Sequence, residues 1–263
     1  MILLQNKILT MSFISKNLSK IIKECLLALG DSPTLLHMDV STLSETKKKL
    51  RSQGDVNSQG TGNQVTDQET CFATLLEQYG VQYSSQHVPP KENGIYYTYQ
   101  VNGTQRSIDF QVYDFVDSTK KCFLNFDLKH TKNDIFFLND GWFHKDIIYI
   151  ISWMRKMSEP RKKKVVEAAT FIAFGQKIPT EDESVLHTEL CEIKKKYNTD
   201  YKGVGSFHCY LRFANTYKCD RFSPAYTKEC LSDVLTSISI KKKPKVATST
   251  VEDITECIQT MCI

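Results

Sequence analysis

The feature that most constrains the fold is a run of strand-like segments near the middle of the chain. Three segments alternate polar and apolar residues or are rich in Tyr and Val: 94–101, 106–113 and 122–129. Asn102-Gly103 is a strong signal for a two-residue hairpin turn between the first two. A polar turn at 117–121 precedes the third. The pattern predicts a β-meander at the centre of the protein.

Helix and strand patterns surround this meander. Amphipathic or apolar spacing predicts helices over 12–29, 41–51, 67–79, 142–157, 181–197 and 227–240, and strands over 168–174 and 206–213. Such an order fits one mixed sheet with helices on both faces. We therefore predict an α/β fold with a central mixed β-sheet flanked by helices.

The helix over 67–79 has the clearest boundary signals. Thr66 can serve as its N-cap, and Glu69 stands three residues later as the partner in a capping box. Gly80 can close its C-terminus. Both ends of this helix are therefore predicted from local chemistry alone.

Composition narrows the class of protein. The chain has 263 residues, of which 41% are hydrophobic and 24% charged, so it can build a substantial core. We find no signal-peptide pattern and no bilayer-length apolar stretch, and we expect a cytoplasmic protein without membrane contact. The nine cysteines are odd in number and lack Cys-x-x-Cys spacing. They predict reduced thiols, without disulfides or a structural zinc site.

Three regions are expected from the changes in composition. These are an N-terminal helical region and polar loop at 1–65, a core at 66–240 and a basic C-terminal tail at 241–263. The loop at 53–64 is polar and glycine-rich, which is typical of linkers and also of loops that read base edges.

Basic residues are clustered although the net charge is only +4. The runs lie at 47–51, 161–164, 194–196 and 241–245. Such clusters can neutralise phosphates, but for any single run a solvated helix end is the better explanation.

The candidate site follows from side-chain alternation in two of the strands. Asp109 lies on the face opposite Ile108 and Phe110, and Asp127 and Lys129 lie on the face opposite Leu128. If the two strands are neighbours, the two carboxylates and the ammonium group converge.

Two carboxylates beside one ammonium group suit metal-assisted hydrolysis. Carboxylate oxygens are the ligands that Mg²⁺ prefers, and the backbone carbonyl of Leu128 is a candidate third ligand. A bound metal lowers the pKa of water, and Lys129 can orient that water or offset negative charge as it develops. The alternative without a catalytic role is that these are two surface carboxylates and an unrelated lysine at strand ends.

Ser107-Ile108-Asp109 followed by Asp127-Leu128-Lys129 resembles the signature of the PD-(D/E)XK nucleases. Ile108 replaces the proline, and Asp127 replaces the more frequent glutamate. The resemblance covers roughly 67–174, and it is greatest to type II restriction endonucleases. It implies a restriction-endonuclease-like core, with Asp109 and Asp127 as metal ligands and Lys129 as the water-positioning residue.

The resemblance also implies an activity and partners. The expected activity is Mg²⁺-dependent, sequence-specific cleavage of double-stranded DNA by a type II site-specific deoxyribonuclease. A homodimer would match a palindromic site, and a cognate DNA methyltransferase would protect the host. A helix carboxylate would complete the catalytic centre; Glu69 is favoured over Glu77, although both have structural explanations.

Residues after the motif are candidates for DNA contact. They are His130, Lys132, Asn139 and Lys145. A polar strand end explains the first two equally well, and Asn139 or Asp140 can simply cap a helix. Trp142 and Phe143, in the same segment, are expected to be structural.

Other functions remain open on the sequence. A repair or junction nuclease on the same fold would prefer DNA structure over sequence, and a DNA-binding protein could retain the fold without catalysis. A globular protein with no nucleic-acid role is a further alternative. Gly94-Ile95-Tyr96 matches half of the GIY-YIG nuclease signature, but the second half is missing, so we interpret it as part of a strand.

Overall fold

A six-stranded mixed sheet forms the centre of the computed structural model. The strands of the protein are β1 (Gln82–Tyr83), β2 (Gly94–Tyr99), β3 (Phe110–Val116), β4 (Thr119–Thr131), β5 (Ile135–Phe137), β6 (Ile148–Met157), β7 (Val165–Phe174) and β8 (Ala214–Thr216). The main sheet has the order β1-β2-β3-β4-β6-β7, and β5 pairs with β8 separately. The β1–β2 and β4–β6 pairs are parallel, and the other neighbours are antiparallel.

Helices flank this sheet. They are α1 (Lys16–Asp31), α2 (Ser44–Gly54), α3 (Asp67–Gln78), α4 (Glu181–Asp200) and α5 (Pro224–Ser239), with 3₁₀ helices at Pro33–His37 and Gly175–Lys177. The structure describes residues 16–38, 43–54, 65–101, 108–131, 135–137, 142–157, 165–200, 214–216 and 223–239. The predicted α/β class, with a central mixed sheet and flanking helices, is confirmed.

Two apolar clusters cover opposite faces of the sheet, because successive strand residues point to opposite sides. On one face, Phe72 of α3 packs edge-on against Phe110, with ring centroids 5.1 Å apart, and against Phe126 at 5.5 Å. On the other face, Tyr149 and Phe171 pack with residues that follow β7 and lie on α5. Apolar residues therefore cover both faces of the sheet at β6 and β7.

The N-terminal helix belongs to the first of these clusters. Five α1 side chains are fully buried and recur at helical spacing: Leu18, Ile22, Cys25, Leu26 and Leu29. Gly30 lies so close to α5 that an added Cβ would come within 2.9 Å of Leu231. The N-terminal helix and the sheet consequently share one hydrophobic core.

One predicted element is wrong. The apolar run over 142–157 was predicted to be a helix, whereas 148–157 is strand β6. Ile148 and Ile150 face one apolar cluster and Tyr149 and Ile151 face the other, so the first four residues of the strand have no polar face. A strand buried on both faces loses the alternation that distinguishes it from a buried helix.

The predicted meander is confirmed as β2, β3 and β4, with shifted boundaries. The connection between β3 and β4 is only Asp117-Ser118, whose φ angles of 52° and 60° suit a tight hairpin turn. Gly94-Ile95-Tyr96 lies in β2, as interpreted. The predicted strand over 206–213, the hairpin turn at 102–103 and the tail at 241–263 lie outside the described residues.

Trp142 and Phe143 precede β6 and serve structural contacts. Phe143 is buried and meets Tyr149 edge-on at 5.1 Å, and Trp142 stacks on His187 of α4 at 4.3 Å. Across the described part of the chain, no helix has both the length and the apolar character needed to cross a membrane.

Candidate active site

Strand β4 supplies two of the site residues from the middle of the sheet. Asp127 is buried, and its Oδ1 lies 2.5 Å from Nζ of Lys129, which is largely buried as well. Because the two residues are two positions apart in a strand, both side chains leave the same face. Phe126 and Leu128 point to the opposite face and pack into the core. Alternation in β4 therefore builds the carboxylate–ammonium pair.

Asp109 reaches this pair from the residue just before β3. The last Cα pair of the β3–β4 ladder is Phe110 with Phe126. Beyond it, the backbone N–H of Leu128 donates to Oδ2 of Asp109 at 2.7 Å. A side-chain carboxylate thus takes a position where the strand pairing ends, and it is held beside Asp127.

Glu69 comes from the first turn of α3. The predicted capping box is confirmed: Glu69 Oε2 accepts from the backbone N–H of Thr66 at 2.5 Å, and Thr66 Oγ1 accepts from the N–H of Glu69 at 3.2 Å. The other carboxylate oxygen, Oε1, accepts from the hydroxyl of Tyr99 at 3.0 Å. The side chain is consequently fixed at both oxygens and buried.

The charges of these residues act on one another. Burial raises the pKa of Asp109 well above its ordinary value, and the negative charges of Asp127 and Glu69 raise it further. Lys129 and the Leu128 N–H act in the opposite direction. Burial likewise raises the pKa of Glu69, against its hydrogen bonds and the charge of Lys129. We call Glu69, Asp109, Asp127 and Lys129 the acid cluster.

The acid cluster has an excess of negative charge. Fully ionised, the three carboxylates and the ammonium group would sum to −2, and burial together with the two neighbouring negative charges raises the pKa of Asp109. A divalent cation would balance this charge. Within the described residues, no group of three or more His, Cys, Asp or Glu side chains is arranged to hold a metal ion.

Mg²⁺ nevertheless fits the donors present, because it often takes only one or two carboxylates and keeps several waters. Asp109 uses Oδ2 for the Leu128 N–H, and Asp127 uses Oδ1 for Lys129. The second oxygen of each carboxylate makes no hydrogen bond to any residue that the structure describes. That the carbonyl of Leu128 is a further ligand stays a prediction.

Glu77, the alternative helix carboxylate, lies in a different environment. It accepts from the Tyr97 hydroxyl at 2.8 Å and pairs with Lys49 of α2 at 3.1 Å. It does not act on the pKa of Asp109, whereas Glu69 does. Of the two glutamates weighed from the sequence, Glu69 is the one beside Asp109.

Two of the four residues predicted to contact DNA lie in the part of the chain that the structure describes. His130 is exposed at the end of β4, and Lys145 is exposed in the turn before β6. Lys132 and Asn139 lie outside the described residues. Two lysines of the basic run at 47–51 form ion pairs, Lys47 with Asp67 and Lys49 with Glu77.

Three features of the site were missed from the sequence. Tyr99 holds Glu69 and accepts a hydrogen bond from Gln100 Nε2 at 3.0 Å. Gln68, beside Glu69, donates to Ser152 of β6 at 2.7 Å and ties α3 to the sheet. The Glu69–Tyr99 and Gln68–Ser152 hydrogen bonds join residues far apart in sequence. The sequence indicated only that Tyr99 lies in a strand.

His37 is the third missed residue. Burial, and then the charge of His130, lower the pKa of His37. Its Nε2 is buried and finds no hydrogen-bond partner in the part of the chain that the structure describes. The end of β4 that carries Lys129 therefore also faces a histidine from the N-terminal region.

Comparison of the chain with known protein families, with curated protein sequences and with solved structures found no match in any of the three. The function of the site is accordingly argued from its own residues.

Proposed function

We propose that the protein is a Mg²⁺-dependent endonuclease that hydrolyses phosphodiester bonds in double-stranded DNA. The observation that carries the proposal is the acid cluster itself. Three carboxylates and one lysine, from α3, β4 and the residue just before β3, meet in a largely buried position; burial, followed by the charges of Asp127 and Glu69, raises the pKa of Asp109. Such an arrangement opposes folding stability unless a cation balances it, and clusters of this kind are typical of functional sites.

Each residue of the acid cluster has a distinct proposed role in phosphodiester hydrolysis. Asp109 and Asp127 would hold Mg²⁺, and Glu69 would orient or support the site through its fixed carboxylate. When bound, Mg²⁺ supplies charge stabilisation on the phosphate and a more acidic water. Lys129, which is held at 2.5 Å by Asp127, donates hydrogen bonds to the attacking water or to a phosphate oxygen and offsets negative charge.

The finer proposal is a type II restriction endonuclease that cuts at a specific sequence. It rests on the resemblance of Asp109 and Asp127-Leu128-Lys129 to the PD-(D/E)XK motif, together with their placement next to one another. Under this proposal the protein acts as a homodimer on a palindromic site, and a cognate methyltransferase protects the host DNA.

The test is cleavage of plasmid and phage DNA with Mg²⁺ by the wild type, Lys129→Ala and Lys49→Ala. We expect Lys129→Ala to bind DNA and to cleave about 10²–10³-fold more slowly, as happens when a group that stabilises transition-state charge is removed. Lys49 also pairs with a carboxylate, but at the other end of α3, so Lys49→Ala is the matched control and should cleave normally.

The outcomes separate the alternatives. Equal cleavage by Lys129→Ala and the wild type would overturn the role of Lys129. Discrete fragments from plasmid DNA indicate a sequence-specific enzyme, and cutting of branched DNA alone indicates a junction or repair nuclease. Binding without cleavage with any divalent cation indicates a DNA-binding protein without catalysis.

A further inference from the structure

Two side-chain amides lie beside the acid cluster, where β3 and β4 pair. Gln111 and Asn125 are Cα partners in the β3–β4 ladder, and Nε2 of Gln111 donates to Oδ1 of Asn125 at 3.1 Å. Their neighbours Val112 and Leu124 point to the opposite face, into the apolar core. We call Gln111 and Asn125 the amide pair.

The amide pair stands on the same face of β4 as a proposed metal-binding carboxylate. Asn125 and Asp127 are two residues apart in the strand, so both side chains leave one face and their Cα atoms are about 7 Å apart. Base pairs of B-DNA follow one another at about 3.4 Å. A side chain at position 125 is therefore placed to contact bases within about two or three base pairs of a phosphate held at Asp127.

This part of the sheet face is open to solvent. Phe123, the next residue of β4 on that face, is 40% exposed, and Gln111 and Asn125 are half-buried. Over the part of the chain that the structure describes, the buried polar side-chain atoms without a partner include none from the amide pair. The polar atoms that the pair leaves unused can therefore be reached by another molecule.

The hydrogen bond inside the amide pair uses one donor and one acceptor. It leaves Oε1 of Gln111 as an acceptor and the NH₂ group of Asn125 as a donor, and neither group bonds to another described residue. If both amides are turned over, the hydrogen bond reverses and the unused groups are again one donor and one acceptor. Either way, the pair presents a donor beside an acceptor.

A donor beside an acceptor is complementary to one base edge in the major groove of DNA. Adenine presents the N7 acceptor next to the N6 amino donor, whereas guanine presents two acceptors, cytosine one donor and thymine one acceptor. Amide side chains make this paired contact with adenine. Because amides carry no charge, they add selectivity between bases and not a general attraction to phosphates.

We propose that the amide pair recognises adenine in the major groove, within about two or three base pairs of the phosphate that is cleaved. The inference rests on the proposed function, because the acid cluster marks where the DNA lies. Gln111 and Asn125 then determine specificity and take no part in hydrolysis. The sequence that the enzyme recognises consequently contains an A·T pair close to the cut.

The first experiment changes the DNA and leaves the protein intact. Sequencing the ends of phage DNA fragments made with Mg²⁺ gives the base preference at each position around the cut. We expect adenine, on one strand or the other, at a position within about three base pairs of the cut. Replacing that A·T pair by G·C should slow cleavage about 5- to 150-fold. Replacing the adenine by 7-deazaadenine, which has C–H at N7, should slow it about three- to tenfold, the worth of one hydrogen bond.

The second experiment changes the protein. Gln111→Leu combined with Asn125→Leu removes both partners of the hydrogen bond together, which can be nearly neutral for stability. This double variant should cleave the preferred duplex about 5- to 150-fold more slowly than the wild type and should treat adenine and 7-deazaadenine alike. Gln78→Leu is the matched control, because Gln78 is exposed at the opposite end of α3 from Glu69. Circular dichroism checks that each variant is folded.

The outcomes distinguish this inference from the proposed function. Cleavage with no adenine preference near the cut, or equal cleavage of the adenine and 7-deazaadenine duplexes, would overturn the inference and leave the nuclease proposal standing. The 7-deazaadenine comparison uses the unchanged protein, so it decides the question even if the double variant does not fold.

A separate measurement covers a protein that cleaves no DNA with any divalent cation. Random-sequence duplexes are then selected for binding to the wild type and to the double variant. Enrichment of adenine by the wild type alone would support the amide pair and contradict the nuclease proposal. Absence of DNA binding, or the same sequences selected by both proteins, would overturn the inference.

Discussion

The two ends of α3 present the same residue types to the same strand, with different results. Near its start, Glu69 accepts a hydrogen bond from Tyr99, and near its end Glu77 accepts one from Tyr97. Glu77 also pairs with Lys49 and is partly exposed, so its negative charge is balanced locally. Glu69 is buried beside Asp109 and two further charged groups.

The comparison shows that the pairing of a glutamate with a tyrosine does not define the candidate site. What distinguishes the Glu69 end is an imbalance of charge in a place that water scarcely reaches. Changing the charge at the Glu69 end, with the Glu77 end as the control, therefore tests whether this imbalance matters for function.

The largest effect is expected for Asp109→Asn. Loss of a proposed metal-binding carboxylate should reduce DNA cleavage by roughly 10³-fold or more. The expected size is that for removal of a group that stabilises the transition state, which is the role proposed for the metal. The asparagine carbonyl can still accept from the Leu128 N–H. Asp117→Asn, in an exposed turn, is the control and should cleave normally.

The same substitution should stabilise the fold in the absence of divalent cations. The pKa of Asp109 is raised in the folded state, so the folded protein holds a proton that the unfolded chain releases. Stability contributed by this group is therefore lost as the pH rises from its ordinary pKa of 3.8 through the raised value. The thermal midpoint of Asp109→Asn should exceed that of the wild type by about 2–4 °C at neutral pH, and the difference should vanish in acid.

The second effect compares the two glutamates directly. Glu69→Gln keeps the shape of the side chain: its carbonyl oxygen can accept from the Thr66 N–H, and its NH₂ group would donate to the Tyr99 oxygen instead of accepting from it. The change removes a charge from the acid cluster, and cleavage should fall by about 10–100-fold. Glu77→Gln should leave cleavage unchanged and cost less than ~1 kcal/mol, because its ion pair is partly exposed. Similar losses of cleavage for the two variants would contradict a special role for the Glu69 end.

The third effect is stabilisation of the folded protein by Mg²⁺. It is measured by differential scanning fluorimetry in the absence of substrate. A ligand that binds only the folded state contributes about 2.7 kcal/mol at one hundred times its Kd. We expect the wild type and Glu77→Gln to gain equally from Mg²⁺ and Asp127→Asn to gain much less. An equal increase in thermal stability with Mg²⁺ in all three proteins would show that Mg²⁺ does not bind at the acid cluster.

The smallest effect concerns the tyrosines. Tyr99→Phe removes the hydroxyl between Glu69 and Gln100, and it should cost about 1–3 kcal/mol because buried polar atoms lose their partner. Tyr97→Phe should cost less, since Glu77 keeps Lys49. Urea unfolding measures the free energy of unfolding of the two variants. A larger loss for Tyr97→Phe than for Tyr99→Phe would contradict the conclusion that the Glu69 end is the more buried one.

Much of the fold could be predicted because its signals are local. The capping box of Thr66 and Glu69 fixes the start of α3, and side-chain alternation in β4 identifies Asp127 and Lys129 as neighbours. Strand β6 could not be assigned in the same way. Its residues Ile148 to Ile151 are buried on both faces, so the periodicity was lost and only the abundance of isoleucine favoured a strand.

The support of the site was beyond the sequence for a different reason. The hydrogen bond of Gln68 to Ser152, and the effect of the His130 charge on the pKa of His37, link segments that are distant along the chain, and no spacing rule predicts either. The placement of Asp109 depended on where the β3–β4 ladder ends. Alternation predicted its face but not its hydrogen bond to Leu128.

The double attachment of Glu69 has a consequence for how related sequences should be interpreted. Its carboxylate closes the first turn of α3 and also lies beside Asp109, so selection for a folded helix retains it even where chemistry has been abandoned. Asp109 also accepts one backbone hydrogen bond, from Leu128, but its buried negative charge opposes the stability of the fold. Under the proposed function, a related sequence that keeps the glutamate but lacks the aspartate is expected to fold in the same way without cleaving DNA.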